Sequence, residues 1–170
     1  MSTKPRWFAL HVRSNQERVI AEYLEAREIE LFFPTYRTPS SRCDRKTTLV
    51  RPLFTGYLFV RVSLDSPKRV EVLKAPGAVR LIGFDNTPLP VPDETIESLK
   101  ILVGNGADTA RPHPLIKEGR KVIVMAGPFV GASGVLAMSD TRKHQLVVEV
   151  EFLGRAVMVP ISPEQIKPIL

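Results

Sequence analysis

Hydrophobic and polar positions follow one pattern over the first hundred residues and another over the last fifty. The first apolar run, Trp7 to Val12, has the length and composition of a strand. Ser14-Asn15-Gln16-Glu17 behind it matches a capping box, with Ser14 at the N-cap and Glu17 reaching back to its N–H. Val19, Ile20, Tyr23 and Leu24 then share one face at helical spacing, while Arg18, Glu22 and Glu25 turn outward. That helix is expected to end near Ile29. Leu31-Phe32-Phe33 predicts a short strand that Pro34 closes or bends. The densest aromatic stretch follows, with Phe54, Tyr57 and Phe59 inside the run from Arg51 to Val62. Tyr57 to Val62 is nearly all apolar and rich in β-branched and aromatic residues, as in a central strand covered on both faces. Pro52 cannot donate to a ladder, so the strand is expected to begin after it, and Gly56 permits a bulge or a close backbone approach.

Further along, Ser66-Pro67 suits an N-cap followed by proline at the first helical position, opening a short helix through Val70 and Leu73. Ala78 to Ile82 predicts a strand, and Pro88, Pro90 and Pro92 hold the next stretch extended. Asp93 and Glu94 favour a helix start, Ile96, Leu99 and Val103 share a face, and Gly104-Asn105-Gly106 ends that helix. Residues 105–115 are poor in apolar side chains and carry two prolines, which suggests an inter-domain linker. Beyond it only strands are predicted, Lys121–Met125, Gly134–Met138, Leu146–Phe152 and Ala156–Pro160, divided by Gly127, Gly131, Gly134 and Gly154. The expected architecture is an α+β domain over 1–104, an antiparallel sheet flanked by helices, then a linker over 105–115 and a small all-β barrel over 116–170.

Charge adds a hint about partners. The chain carries a formal net charge of +6, which mildly favours a polyanionic neighbour. Arg37, Arg42, Arg45, Lys46 and Arg51 face one acid, Asp44, in the stretch leading to the aromatic strand. The plainer account is a solvated hairpin; the sharper one is a nucleic-acid contact. Candidate chemistry is thin. The single cysteine, Cys43, excludes an internal disulfide and a multi-cysteine zinc site. His11, His113 and His144 are scattered, and His11 on an alternating strand suits a half-buried polar residue better than a catalytic base. Gly127-Pro128-Phe129-Val130-Gly131 lies between strands and lacks a P-loop lysine. No enzyme, cofactor or metal is expected. No apolar run approaches the length of a membrane span and the start lacks an apolar signal region, so a cytoplasmic protein is the default expectation.

Several segments resemble one family in its own order. Trp7-Phe8-Ala9-Leu10 before the first helix is similar to the opening of the NusG family of transcription elongation factors. Pro52 to Val60 resembles its aromatic-Pro-Gly-Tyr run, with Thr55 where the family usually has proline. Pro76 to Gly83 resembles its next conserved segment. Gly119 to Val124, with Gly127 to Gly131 and Gly134-Val135, is similar to its KOW motif, and Phe152 to Ala156 resembles its late hairpin.

The resemblance implies an N-terminal NGN domain and a C-terminal SH3-like KOW barrel. It implies that the first domain binds the clamp helices of the large RNA polymerase subunit, with Trp7, Phe54, Tyr57 and Phe59 as contact candidates. Arg13, Arg18, Arg42, Arg45 and Lys46 would face upstream or non-template DNA in the elongation complex, where attraction to phosphate is independent of sequence. Phe129, Phe152, Leu153 and Arg155 would form the KOW partner surface, with a small-subunit ribosomal protein or Rho as partner. A monomer that suppresses pausing or termination is expected. Leu153 stands where housekeeping members commonly carry phenylalanine, and Ala9 to Ser14 looks more like specialised, operon-specific paralogues. The alternatives are a housekeeping NusG coupled to the ribosome or Rho, and a ribosome- or RNA-binding KOW protein.

Overall fold

The computed structural model describes residues 4–41, 47–106, 108–114, 119–138, 143–150 and 153–169. Contacts divide the chain into two units, Met1–Phe33 with Phe54–Asp93, and Pro34–Leu53 with Glu94–Leu170.

The first unit is built on an antiparallel sheet. Its elements are β1 (Arg6–Val12), α1 (Glu17–Glu25) and β2 (Leu31–Phe32), then, after the excursion of β3 and β4 into the other unit, β5 (Tyr57–Val62), α2 (Pro67–Lys74), β6 (Ala78–Leu81), β7 (Gly83–Phe84), β8 (Thr87–Pro88) and β9 (Pro90–Val91). The strand order is β2-β5-β1-β6, with β9 also paired to β1. The two most apolar runs are therefore the interior strands, where both neighbours satisfy the backbone and both faces can be covered. One face holds the core: Phe8, Leu10 and Val12 of β1 with Leu58, Val60 and Val62 of β5, completed by Ile20 and Leu24 of α1 and Val72 of α2. Burying each of these side chains contributes about 1.5–3 kcal/mol.

The helix starts split. Ser66 caps α2 as expected, its hydroxyl accepting from the Lys68 N–H at 3.2 Å with Pro67 next. The capping box at Ser14 does not form. The chain turns instead at Asn15, in the left-handed region at φ 66°, and Gln16 becomes an N-cap with no side-chain bond. Glu17 is freed for a tertiary contact described below. Val19 is exposed and Ala21 takes the inner face instead, while α1 stops at Glu25 and the chain turns through Glu28. The β7–β8 hairpin was not anticipated; Asp85 and Asn86, both at positive φ, make its two-residue turn.

The second unit contains a two-stranded hairpin, β3 (Thr35–Pro39) with β4 (Thr48–Pro52), the helix α3 (Asp93–Gly106), all but its first residue, and an antiparallel sheet. That sheet runs β10 (Arg111–Pro114), β14 (Arg155–Pro160), β13 (His144–Val150), β12 (Ser133–Met138), β11 (Arg120–Val124) and β15 (Ile166–Pro168) in spatial order. The expected α+β first part and all-β second part are both present. The expected linker is the main departure. Residues 105 and 106 belong to α3, and Arg111–Pro114 pairs with β14 as an edge strand. Prolines two apart remove donors from one side of a strand only, so Pro112 and Pro114 fit an edge although they suggested a linker. The division of contacts also places the hairpin and α3 with the C-terminal strands rather than with the N-terminal sheet.

Candidate functional site

Away from the core, β1 presents Trp7, Ala9 and His11, and β5 presents Arg61, Phe59 and Tyr57 directly opposite them. Side chains alternate along a strand, so these six share the sheet side opposite Phe8, Leu10 and Val12. Phe32 of β2 stands beside Phe59 with rings stacked at 6.1 Å. Phe54 meets Phe59 edge-on at 5.4 Å and 87°, a geometry that suits two ring quadrupoles. At one end of this row His11 and Tyr57 stack at 5.2 Å and 29°, both half-buried. Arg80 of β6 is the residue opposite His11 on its other side.

The loop leading into Tyr57 is pinned from two directions. The Gly56 N–H donates to the Glu17 Oε1 at 2.9 Å, and the Gly56 carbonyl accepts from the Val12 N–H at 2.9 Å. Glu17 is 4% exposed, one of few buried charged residues. Gly56 lies at φ +83°, and a Cβ there would meet only ordinary contacts. Conformation, rather than crowding, calls for glycine at this position.

Four aromatics were expected as a contact surface. The structure brings them to one sheet side but buries three of them: Trp7 (3% exposed), Phe54 (1%) and Phe59 (0%). Tyr57 alone keeps part of its surface. Clustered rings of this size are driven out of water unless something covers them. Sequence reasoning missed the carboxylate that holds the loop, because Glu17 looked like a capping residue.

Among the basic candidates, Arg13 and Arg18 are exposed on the first unit. Arg42, Arg45 and Lys46 lie outside the described residues; Arg37 and Arg51 of the same hairpin are exposed. Arg37 Nη1 approaches the Asp108 Oδ1 at 3.9 Å, and the Arg111 guanidinium lies 5.3 Å from the Tyr36 ring centre. Leu153, ahead of β14, is half-buried and Arg155, at the start of β14, is exposed, while Phe152 lies outside the described residues. Phe129 is 5% exposed. Among the described residues no three His, Cys, Asp or Glu side chains gather as metal ligands.

The chain thus combines an antiparallel sheet with one aromatic side, a two-stranded basic hairpin and a six-stranded antiparallel sheet. The family model "Transcription termination factor nusG" matches residues 5–100, and the chain belongs to the NusG family of transcription termination/antitermination factors. It is 26% identical over 174 residues to the transcription termination/antitermination protein NusG of Yersinia pestis, covering 96% of each chain. The Pseudomonas aeruginosa NusG is 26% identical over 174 residues, covering 96% of this chain and 98% of that one. Among solved structures, one of Thermotoga maritima NusG, described as a domain interaction, aligns over 98% of both chains with a TM-score of 0.52 at 22% identity, a likeness of fold.

Proposed function

We propose that this protein acts during transcript elongation, binding the clamp helices of the large RNA polymerase subunit through its N-terminal domain and suppressing pausing or termination. The observation that carries the reading is the stacked, half-exposed His11–Tyr57 pair on the aromatic sheet side. Tyr57 is the direct contact in this reading. Phe54 and Phe59 are buried edge-to-face against each other on the same sheet side and are not direct contacts. Arg13, Arg18, Arg42, Arg45 and Lys46 face upstream or non-template DNA, and the C-terminal domain recruits a further factor, a small-subunit ribosomal protein or Rho, through an edge that includes Phe129. The role of the protein is that of a specialised paralogue, supported by Leu153 at a position where housekeeping members commonly carry phenylalanine.

An aromatic anchor of an interface carries about 2 kcal/mol or more, roughly thirtyfold in affinity. Tyr57→Ala therefore binds purified core polymerase roughly thirtyfold more weakly and loses its effect on transcription over a long template. A folded Tyr57→Ala protein with wild-type affinity overturns the contact. A wild-type protein that leaves elongation over that template unchanged overturns the function. Occupancy along the genome separates the two family roles, since a specialist appears on few operons and a housekeeping factor on most.

A further inference from the structure

The junction between β1 and α1 is braced on both sides by glycines. The Val12 N–H donates to the Gly56 carbonyl and the Arg13 N–H to the Gly77 carbonyl, each at 2.9 Å. On the Gly77 side α1 is seated by close packing. A Cβ there would come within 3.1 Å of the Ile20 side chain and 3.2 Å of the Gln16 Cβ. On the Gly56 side it is joined by the hydrogen bond from the Gly56 N–H to the Glu17 Oε1. Helix α1 also buries Ile20 and Leu24 in the sheet core. Glu17 is therefore presented from a frame that does not depend on its own bond.

What Glu17 holds is a turn. Phe54-Thr55-Gly56-Tyr57 is closed by the Tyr57 N–H, which donates to the Phe54 carbonyl at 3.0 Å. Its third residue, Gly56, has φ +83°, the sign that a type II turn requires at that position and a type I turn lacks. The two turns differ in the direction in which the central peptide, between Thr55 and Gly56, points its N–H. The Glu17 carboxylate accepts that N–H and is 4% exposed. It fixes the sense of the turn at a place where little water can substitute for it. The ends of the turn are Phe54, edge-on against Phe59, and Tyr57, stacked on His11.

We infer that Glu17 is a positioning residue for the polymerase contact: it selects the turn that presents Tyr57 on His11 and touches no partner itself. This rests on Tyr57 being the direct contact, as proposed above. Without the carboxylate the Gly56 N–H is buried with no acceptor, which favours forms of the turn that bring it to water. A partner that needs the original form then binds in proportion to the fraction that remains.

The test uses the full chain and purified core polymerase. Glu17→Ala removes the acceptor and Glu17→Gln keeps one. Glu22→Ala, at an exposed acid of the same helix, is the control. Amide exchange at Gly56 and Val12 is expected to rise at least ~10-fold in Glu17→Ala and in neither of the others, while Ile20 keeps its wild-type rate. Unchanged Gly56 exchange in Glu17→Ala overturns the hold on the turn. Polymerase affinity is expected to fall roughly tenfold in Glu17→Ala and to return in Glu17→Gln. Wild-type affinity in a Glu17→Ala protein whose turn has loosened overturns the positioning role. A double-mutant cycle decides whether the effect passes through Tyr57. In a Tyr57→Ala background, Glu17→Ala is expected to change affinity less than ~2-fold. A further loss of roughly tenfold there overturns the inference and leaves the Tyr57 contact standing. Tyr57→Ala with wild-type affinity is a different result: it defeats the proposed contact, and the positioning role with it. Should Glu17→Ala fail to fold, Gly56→Ala strains the same turn through its positive φ. The same cycle against Tyr57→Ala then decides, with additive losses overturning the inference.

Discussion

Helices α1 and α3 are both amphipathic, yet they use their surfaces differently. In α1, Ile20, Ala21 and Leu24 are buried while Val19 is half exposed. Its single stripe meets the sheet core, and its one buried charge, Glu17, reaches the Gly56 amide. In α3 the buried positions spread over a wider arc that takes in a hydroxyl, Ser98, and a glycine, Gly106, beside Ile96, Leu99 and Leu102. The difference teaches that the buried side of a helix can include small and polar side chains. Such a face has little hydrophobicity of its own. Its contribution lies in letting another group come close.

The comparison can be broken at three points, taken from the largest effect down. Leu24 is fully buried in the core of the first unit. Leu24→Ala is expected to cost about 2–5 kcal/mol through lost burial and the cavity left behind. Urea unfolding followed by amide exchange should show the loss at β1 and β5, with β12 and β13 retaining their rates. Loss of protection in both sheets would mean that α1, too, supports more than one neighbour.

Glu17→Ala comes next. It leaves the buried Gly56 N–H without its acceptor, at a cost of about 1–3 kcal/mol. Glu17→Gln keeps an acceptor oxygen and is expected to recover most of this. Equal destabilisation by both would show that the charge, rather than the hydrogen bond, holds the loop before Tyr57.

The smallest effect contrasts two glycines of α3. Gly104 is exposed with open space beside it, whereas Gly106 is buried against Phe129. Gly104→Ala is expected to stabilise the helix by up to about 1 kcal/mol, since alanine restricts the unfolded chain and suits a helix better. A thermal melt that moves downward for Gly104→Ala would mean that this side of α3 is also engaged.

Much of this was legible along the chain. Trp7 to Val12 read as a strand and Tyr57 to Val62 as a central strand covered on both faces, and the two pair from Arg6↔Val62 to His11↔Tyr57. Ser66-Pro67 read correctly as a helix start because a cap is a local interaction, completed within two residues. The C-terminal strands were legible from β-branched runs divided by glycine. Ser14-Asn15-Gln16-Glu17 read wrongly because the same carboxylate serves either a local N–H or a distant one, and the Gly56 amide lies 39 residues away. Arg111–Pro114 read as a linker because proline's lost donor matters in a central strand and not at an edge.

Taken alone, then, the sequence determined the order and type of the main elements, the central place of Tyr57 to Val62 and its aromatic character. These follow from periodicity, propensity and caps, which act over a few residues. Tertiary structure decided which aromatics stay accessible, with Tyr57 half-exposed and Trp7, Phe54 and Phe59 buried. It also decided the work of Glu17, and brought Ser98 to the Ser133 amide and Gly106 against the Phe129 ring. The physical reason is that burial and hydrogen-bond partnership belong to pairs of groups. A serine or a glycine shows no preference for a partner until folding brings one against it.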